Sequence, residues 1–175
     1  SQIMENWAME PEVLRSYAKH YKTGEVMPDA LITKLEKSAQ FNQGFETTEL
    51  LAASLLDMDW HTKAFDGNVE AFEKASMDKL GLINEIAPRY RSTYFAHIFS
   101  GGYSAGYYVY TWAAVLDADA FDAFKQSGNI FNPQIAAKFR TLLTKSGSDE
   151  GMTVYRNFRG QEPSIEPLLK RRGLK

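Results

Sequence analysis

The sequence contains no cysteine, which removes disulfides, thiolate zinc sites and cysteine nucleophiles together. That absence fits a cytoplasmic protein, the setting expected here, as well as an exported one. Histidine is nearly as scarce, with His20, His61 and His97 only. No two of them stand four residues apart, so the H-E-x-x-H pattern that aims two imidazoles of one helix face at zinc is missing. The glycine fingerprints that cradle phosphates or dinucleotides and the G-x-S-x-G nucleophile elbow are missing as well. No apolar run approaches the ~20 residues needed to span a bilayer, and no basic and apolar leader opens the chain. Twenty Lys and Arg against 22 Asp and Glu leave a net charge of −2, which gives no general attraction to nucleic acid or an anionic membrane. Period-two alternation is missing too, apart from a possible short ribbon within 90–99, so the expected fold class is all-α, a helical bundle.

What is present is a globular composition, 44% hydrophobic and 24% charged, in which 175 residues amount to one compact domain. The scaling of surface with size has such a chain bury about 70% of what its unfolded form exposes. Charge drifts from eight basic against fourteen acidic residues over 1–80 to eight against four over 140–175, the pattern of solvated helix faces with a basic tail. Pro11, Pro28 and Pro133 sit where first helical turns accept proline. Asn68 and Asn132 are suited to cap the helices that follow them, and Ser148 with Gly151 allows another start. Residues 45–60 are apolar around most of a helical circumference, as in a helix buried inside a larger body. A single long helix is expected over 103–124 and a short one over 164–172. Ser1, Gln2 and the residues after them read as a helix already under way, as at a processed N-terminus or in a piece of something longer.

Aromatic residues are over-represented at 13%, with nine Tyr, eleven Phe and three Trp. They concentrate in a window from His97 through Gly101, Gly102 and Tyr103 to Tyr107 and Tyr110. Spacings of four and three place the three tyrosines on one helix face. Two readings stand side by side. The stripe packs into a core, or it is a wall of phenols whose O–H groups bind a peptide carbonyl or a developing oxyanion. Buried phenols must each find a partner, which makes them costly core fillers. Arg89 and Arg91, just upstream, suit bidentate capture of a carboxylate such as a peptide C-terminus, or ordinary surface ion pairs. His20, beside Lys19 and Lys22, reads as a surface residue. His61 reads as a cation at a helix C-terminus or a hydrogen-bonded core partner.

The run Pro88-Arg89-Tyr90-Arg91-Ser92-Thr93-Tyr94-Phe95-Ala96-His97-Ile98-Phe99, continuing through Gly101-Gly102-Tyr103 to Tyr107-Tyr108-Val109-Tyr110, resembles the thimet oligopeptidase and neurolysin family of zinc metallopeptidases. Phe41-Asn42-Gln43-Gly44-Phe45, Thr47-Thr48-Glu49 and Leu55-Leu56-Asp57-Met58 are similar to its dipeptidyl carboxypeptidase branch more than to its oligopeptidase A branch. Phe158-Arg159-Gly160, Glu162-Pro163 and Arg172-Gly173-Leu174 resemble the family's C-terminal end. The resemblance covers essentially the whole chain and implies the C-terminal part of a larger all-α peptidase acting on short peptides. It implies that Tyr110, Tyr103 and His97 serve catalysis, Tyr110 by stabilising the oxyanion. Tyr107, Gly101 and Gly102 would line the substrate, and Arg89 or Arg91 is the candidate for its carboxylate. The zinc ligands and the general base would lie upstream of Ser1, leaving no metal ligand in these residues and an inactive isolated chain. Surface facing that upstream part would be apolar or aromatic and could pair copies of the chain, with residues 86–112 disordered or rearranged. An oligopeptidase A-like endopeptidase and a non-enzymatic helical peptide-binding domain are the alternatives.

Overall fold

The computed structural model describes residues 2–175, and Ser1, the first residue of the expected opening helix, lies outside them. Among the described residues there are ten α-helices, one 3₁₀ turn and no strand beyond an isolated antiparallel bridge between Lys19 and Val26. No helix among them is long and apolar enough to cross a membrane. Length alone points to one folding unit. Among the described residues the contacts resolve two, 2–41 with 113–175 and 42–112, and each has its own core.

In the first unit, α1 (Ile3–Met9) and α2 (Pro11–Tyr17) are followed by α3 (Asp29–Ser38). After the intervening unit come the body of α7 (Val109–Gln126), α8 (Pro133–Thr144), α9 (Gly151–Arg159) and α10 (Glu166–Arg171). Trp7 meets Phe121 and Phe124 edge-on at 4.6 and 4.9 Å and donates its indole N–H to the Ile130 carbonyl. Ala120, Phe124, Tyr155 and Phe158 form the core beside it. The Asn132 side chain accepts the Gln134 and Ile135 amides, so Asn132 caps α8 as its position in the sequence implies. The cap of α9 is Glu150, not Ser148: its carboxylate takes the Met152 and Thr153 amides, where a negative group also meets the positive end of the helix. α2 stops at Tyr17, because Ala18 turns extended and the chain pairs Lys19 with Val26.

The second unit holds α4 (Gln43–Thr62), α5 (Val69–Asp78), the 3₁₀ turn Ser92–Tyr94, α6 (Ala96–Phe99) and the start of α7. Asn68 caps α5 by accepting the Ala71 amide. The expected all-round burial of α4 does not hold. Ala52, Ala53, Leu56 and Asp57 are buried on one face, while Leu51, Leu55 and Met58 are exposed on another. The ribbon over 90–99 is absent as well, since that segment is the 3₁₀ turn followed by α6. Ala53, Phe95, Ile98 and Tyr107 make the buried core of this unit, with Leu50, Trp60, Tyr90, Tyr103 and Tyr110 packed around it. Residues from the 86–112 segment therefore share this core with α4.

Candidate active site

The single helix expected over 103–124 begins only at Val109. Residues 104–108 are turns, and Ala105 takes the left-handed φ of 52°, which breaks helical propagation for any residue with a Cβ. The three tyrosines therefore do not meet along a helix face. They meet because the turn folds Tyr103 back over α7. The Tyr103 and Tyr110 rings stack at 5.2 Å, and Tyr107 lies 5.0 Å from Tyr110. His97, on α6, stands 5.9 Å from Tyr103, 5.7 Å from Tyr107 and 6.4 Å from Tyr110 between ring centroids. Tyr90, not singled out by the sequence, lies on the other side of His97 at 5.0 Å.

The stripe thus divides between the core and its edge. Tyr107 is core, 2% exposed. Burial pushes its phenol pKa up, and the positive charge of Arg89 works against that shift. Tyr103 and Tyr110 are half-buried at the edge of that core. Hydrogen bonding to Tyr103, assisted by burial, raises the Tyr110 pKa to about 12. Tyr110 is therefore a protonated donor throughout the neutral range, which is the state a phenol needs if it is to meet an oxygen gaining negative charge.

The glycines between His97 and the tyrosines have unequal roles. A Cβ on Gly101 would lie 2.8 Å from the His97 carbonyl oxygen, whereas one on Gly102 would meet nothing within 4 Å. Gly101 thus permits the close return of the chain past α6, which the Tyr103 amide completes by donating to the His97 carbonyl at 3.2 Å. The two arginines part company in the same way. Arg91 donates to the Glu73 carboxylate at 2.8 Å, whereas Arg89 is exposed and makes its charge felt at Tyr107.

Two carboxylates outside the aromatic window fasten this arrangement. Glu73 on α5 accepts the Ser92 amide at 2.7 Å as well as Arg91. Burial raises its pKa, but the amide and the guanidinium outweigh that and hold it below the ordinary glutamate value. Asp57 on α4, fully buried, accepts the Ala105 amide at 3.0 Å and the Tyr107 amide at 2.8 Å, with His61 Nδ1 2.9 Å from it. His61 is thus a hydrogen-bonded partner at the end of α4. The available signal for Asp57 was its register: it follows Ala53 by four residues and precedes His61 by four, on the face that α4 buries. Trp60 completes the floor by stacking on Phe72 at 3.9 Å and donating to the Ser92 hydroxyl.

Among the described residues no group of three or more His, Cys, Asp or Glu is placed to hold a metal ion. The described side chains therefore do not fit a zinc site. What they form is a rim of phenols, an imidazole and an exposed guanidinium above an anchored turn, suited to binding a polar backbone and donating hydrogen bonds to it.

Residues 1–174 match the model of peptidase family M3. Over 99% of its length the chain is 42% identical to dipeptidyl carboxypeptidase of Escherichia coli, covering 26% of that protein. It is 37% identical over its whole length to oligopeptidase A of the same organism, again 26% of the relative, and 38% identical to the probable cytosolic oligopeptidase A of Arabidopsis thaliana. The chain thus spans about a quarter of the length of the curated relatives it matches.

Proposed function

Because the chain belongs to peptidase family M3, we propose that it is the substrate-facing C-terminal part of a zinc metallopeptidase that releases dipeptides from the C-termini of short peptides. The observation that carries this reading is the Tyr103–Tyr110 pair stacked beside His97, with Tyr110 held protonated. The higher identity to dipeptidyl carboxypeptidase than to oligopeptidase A of one organism supports the dipeptide-releasing branch. In this proposal an H-E-x-x-H segment elsewhere in a longer polypeptide supplies the metal and the general base. The residues of this chain act on the peptide itself. His97 and Tyr103 bind its backbone near the scissile bond, and Tyr110 donates a hydrogen bond to the carbonyl oxygen as charge builds on it. With Arg91 committed to Glu73, Arg89 is assigned the free C-terminal carboxylate, which gives the register for cutting two residues in.

The experiment is hydrolysis by the full-length protein of N-blocked peptides of increasing length, with products identified by mass. Release of dipeptides alone is the expected result, and internal cleavage would instead favour an oligopeptidase A-like endopeptidase. Arg89→Gln should raise KM for peptides with a free C-terminus about tenfold or more, in line with a charge-assisted contact, and leave C-terminally amidated peptides unaffected. Equal effects on both substrates would remove Arg89 from this role.

A further inference from the structure

The phenol rim stands on backbone that does not hold itself in place. Residues 104–108 precede the first turn of α7, and Ala105 sits at φ 52°, a conformation that a residue with a Cβ keeps only when its surroundings impose it. The amides on either side of a left-handed residue converge to make a small anion-binding concavity. Here its occupant is part of the protein. Asp57 Oδ1 accepts the Ala105 amide and Oδ2 accepts the Tyr107 amide, at 3.0 and 2.8 Å. A fully buried carboxylate is tolerated where its oxygens are satisfied, and these two amides with His61 satisfy it. Both oxygens are used at once, which an amide side chain cannot match because it offers one acceptor and one donor group.

The carboxylate belongs to α4, an unbroken helix of 20 residues, so a rigid element fixes the backbone between Tyr103 and Tyr110. We infer that Asp57 is a positioning residue of the peptidase site, holding the 105–107 backbone so that the Tyr103 and Tyr110 hydroxyls stand where the substrate carbonyl arrives. This inference rests on the peptidase reading above. A phenol displaced by about 1 Å would still contact bound substrate but would stabilise the transition state less, with losses on the order of 10²-fold known for such shifts. The cost therefore falls on kcat rather than on KM.

The test uses the full-length protein, with kcat expressed per active site titrated by a tight-binding inhibitor. Asp57→Asn should lower kcat about tenfold or more while KM stays within about twofold. Ala105→Gly in the same background should recover part of the loss, since glycine occupies a positive φ without steric penalty. A folded Asp57→Asn enzyme with unchanged kcat per site, whatever its melting temperature, would overturn the inference. Should that variant fail to fold, hydrogen exchange of the wild-type protein resolved to single amides decides. Ala105 and Tyr107 are expected to exchange about 100-fold or more slowly than Gly102, and equal rates would overturn the clamp. A wild-type protein without peptidase activity refutes the functional reading alone, because the exchange rates still report on Asp57.

Discussion

Tyr110 owes its proposed role to its neighbours more than to its own chemistry. A free phenol titrates near 10, while this one is held to about 12 by Tyr103 and by burial. The neutral phenol is favoured in the folded state, so its contribution is complete below pH 10 and is lost as pH rises through about 12. Absorbance titration of wild type and Tyr110→Phe should therefore coincide up to about pH 11 and separate only beyond it. In the full-length enzyme the same substitution should lower kcat about 10²-fold, as for loss of one oxyanion donor. A change within twofold would take Tyr110 out of that role. At this scale the sequence implied that the three tyrosines are neighbours, and they are, through a different geometry. Spacings of four and three suggested one helix face, but Ala105 breaks the helix, and nothing in an alanine between Ser104 and Gly106 advertises a positive φ. The phenols converge because Asp57 gathers two distant amides, a contact 48 and 50 residues away in sequence.

Among the elements, the capped helices were the most legible, since Asn68, Asn132 and the first-turn prolines act on backbone within three residues of themselves. Ends set by tertiary contacts were not, and the stretch from the 3₁₀ turn to α7 shows why. Its shape depends on one close approach at Gly101 and on carboxylates from α4 and α5. Gly101→Ala should cost about 1–3 kcal/mol, because the new methyl meets a backbone carbonyl that has no room to retreat. Gly102→Ala should stay within about 0.5 kcal/mol of wild type by chemical denaturation. The Glu73 contact predicts a pH dependence. Its folded pKa is depressed, so the stability it adds is present above 4.5, the ordinary glutamate value, and fades as pH falls through the lower folded one. Glu73→Gln should thus lower the melting temperature at pH 7, and the gap to wild type should close as both are taken below about pH 4. A gap independent of pH would show that Glu73 acts only by packing.

For the whole molecule, composition indicated helices and apolar cores but not that contacts divide the chain into two units, since both draw on the same residue types. Leu51, Leu55 and Met58 of α4 are exposed; periodicity reports which faces are apolar and not what covers them. The chain spans about a quarter of the length of its M3 relatives, and the proposed reading assigns the metal site to the rest of a longer polypeptide. That protein should lose its peptidase activity to a chelator and regain it with zinc. The 175-residue chain alone should bind no stoichiometric zinc and turn over no substrate, and significant turnover by it would sink the fragment reading.

Trp60 gives the fold a means of being watched. Its ring lies on Phe72 and its indole N–H is bound to Ser92, the residue whose amide Glu73 holds. Light emitted from Trp60 therefore carries information about the foot of the His97 segment. Releasing that foot by acid or by Glu73→Gln frees the indole to bond with water, and its fluorescence should move to longer wavelength. Trp7, in the core of the other unit, and the exposed Trp112 are the two further emitters, whose response to these changes marks the background against which that shift is seen.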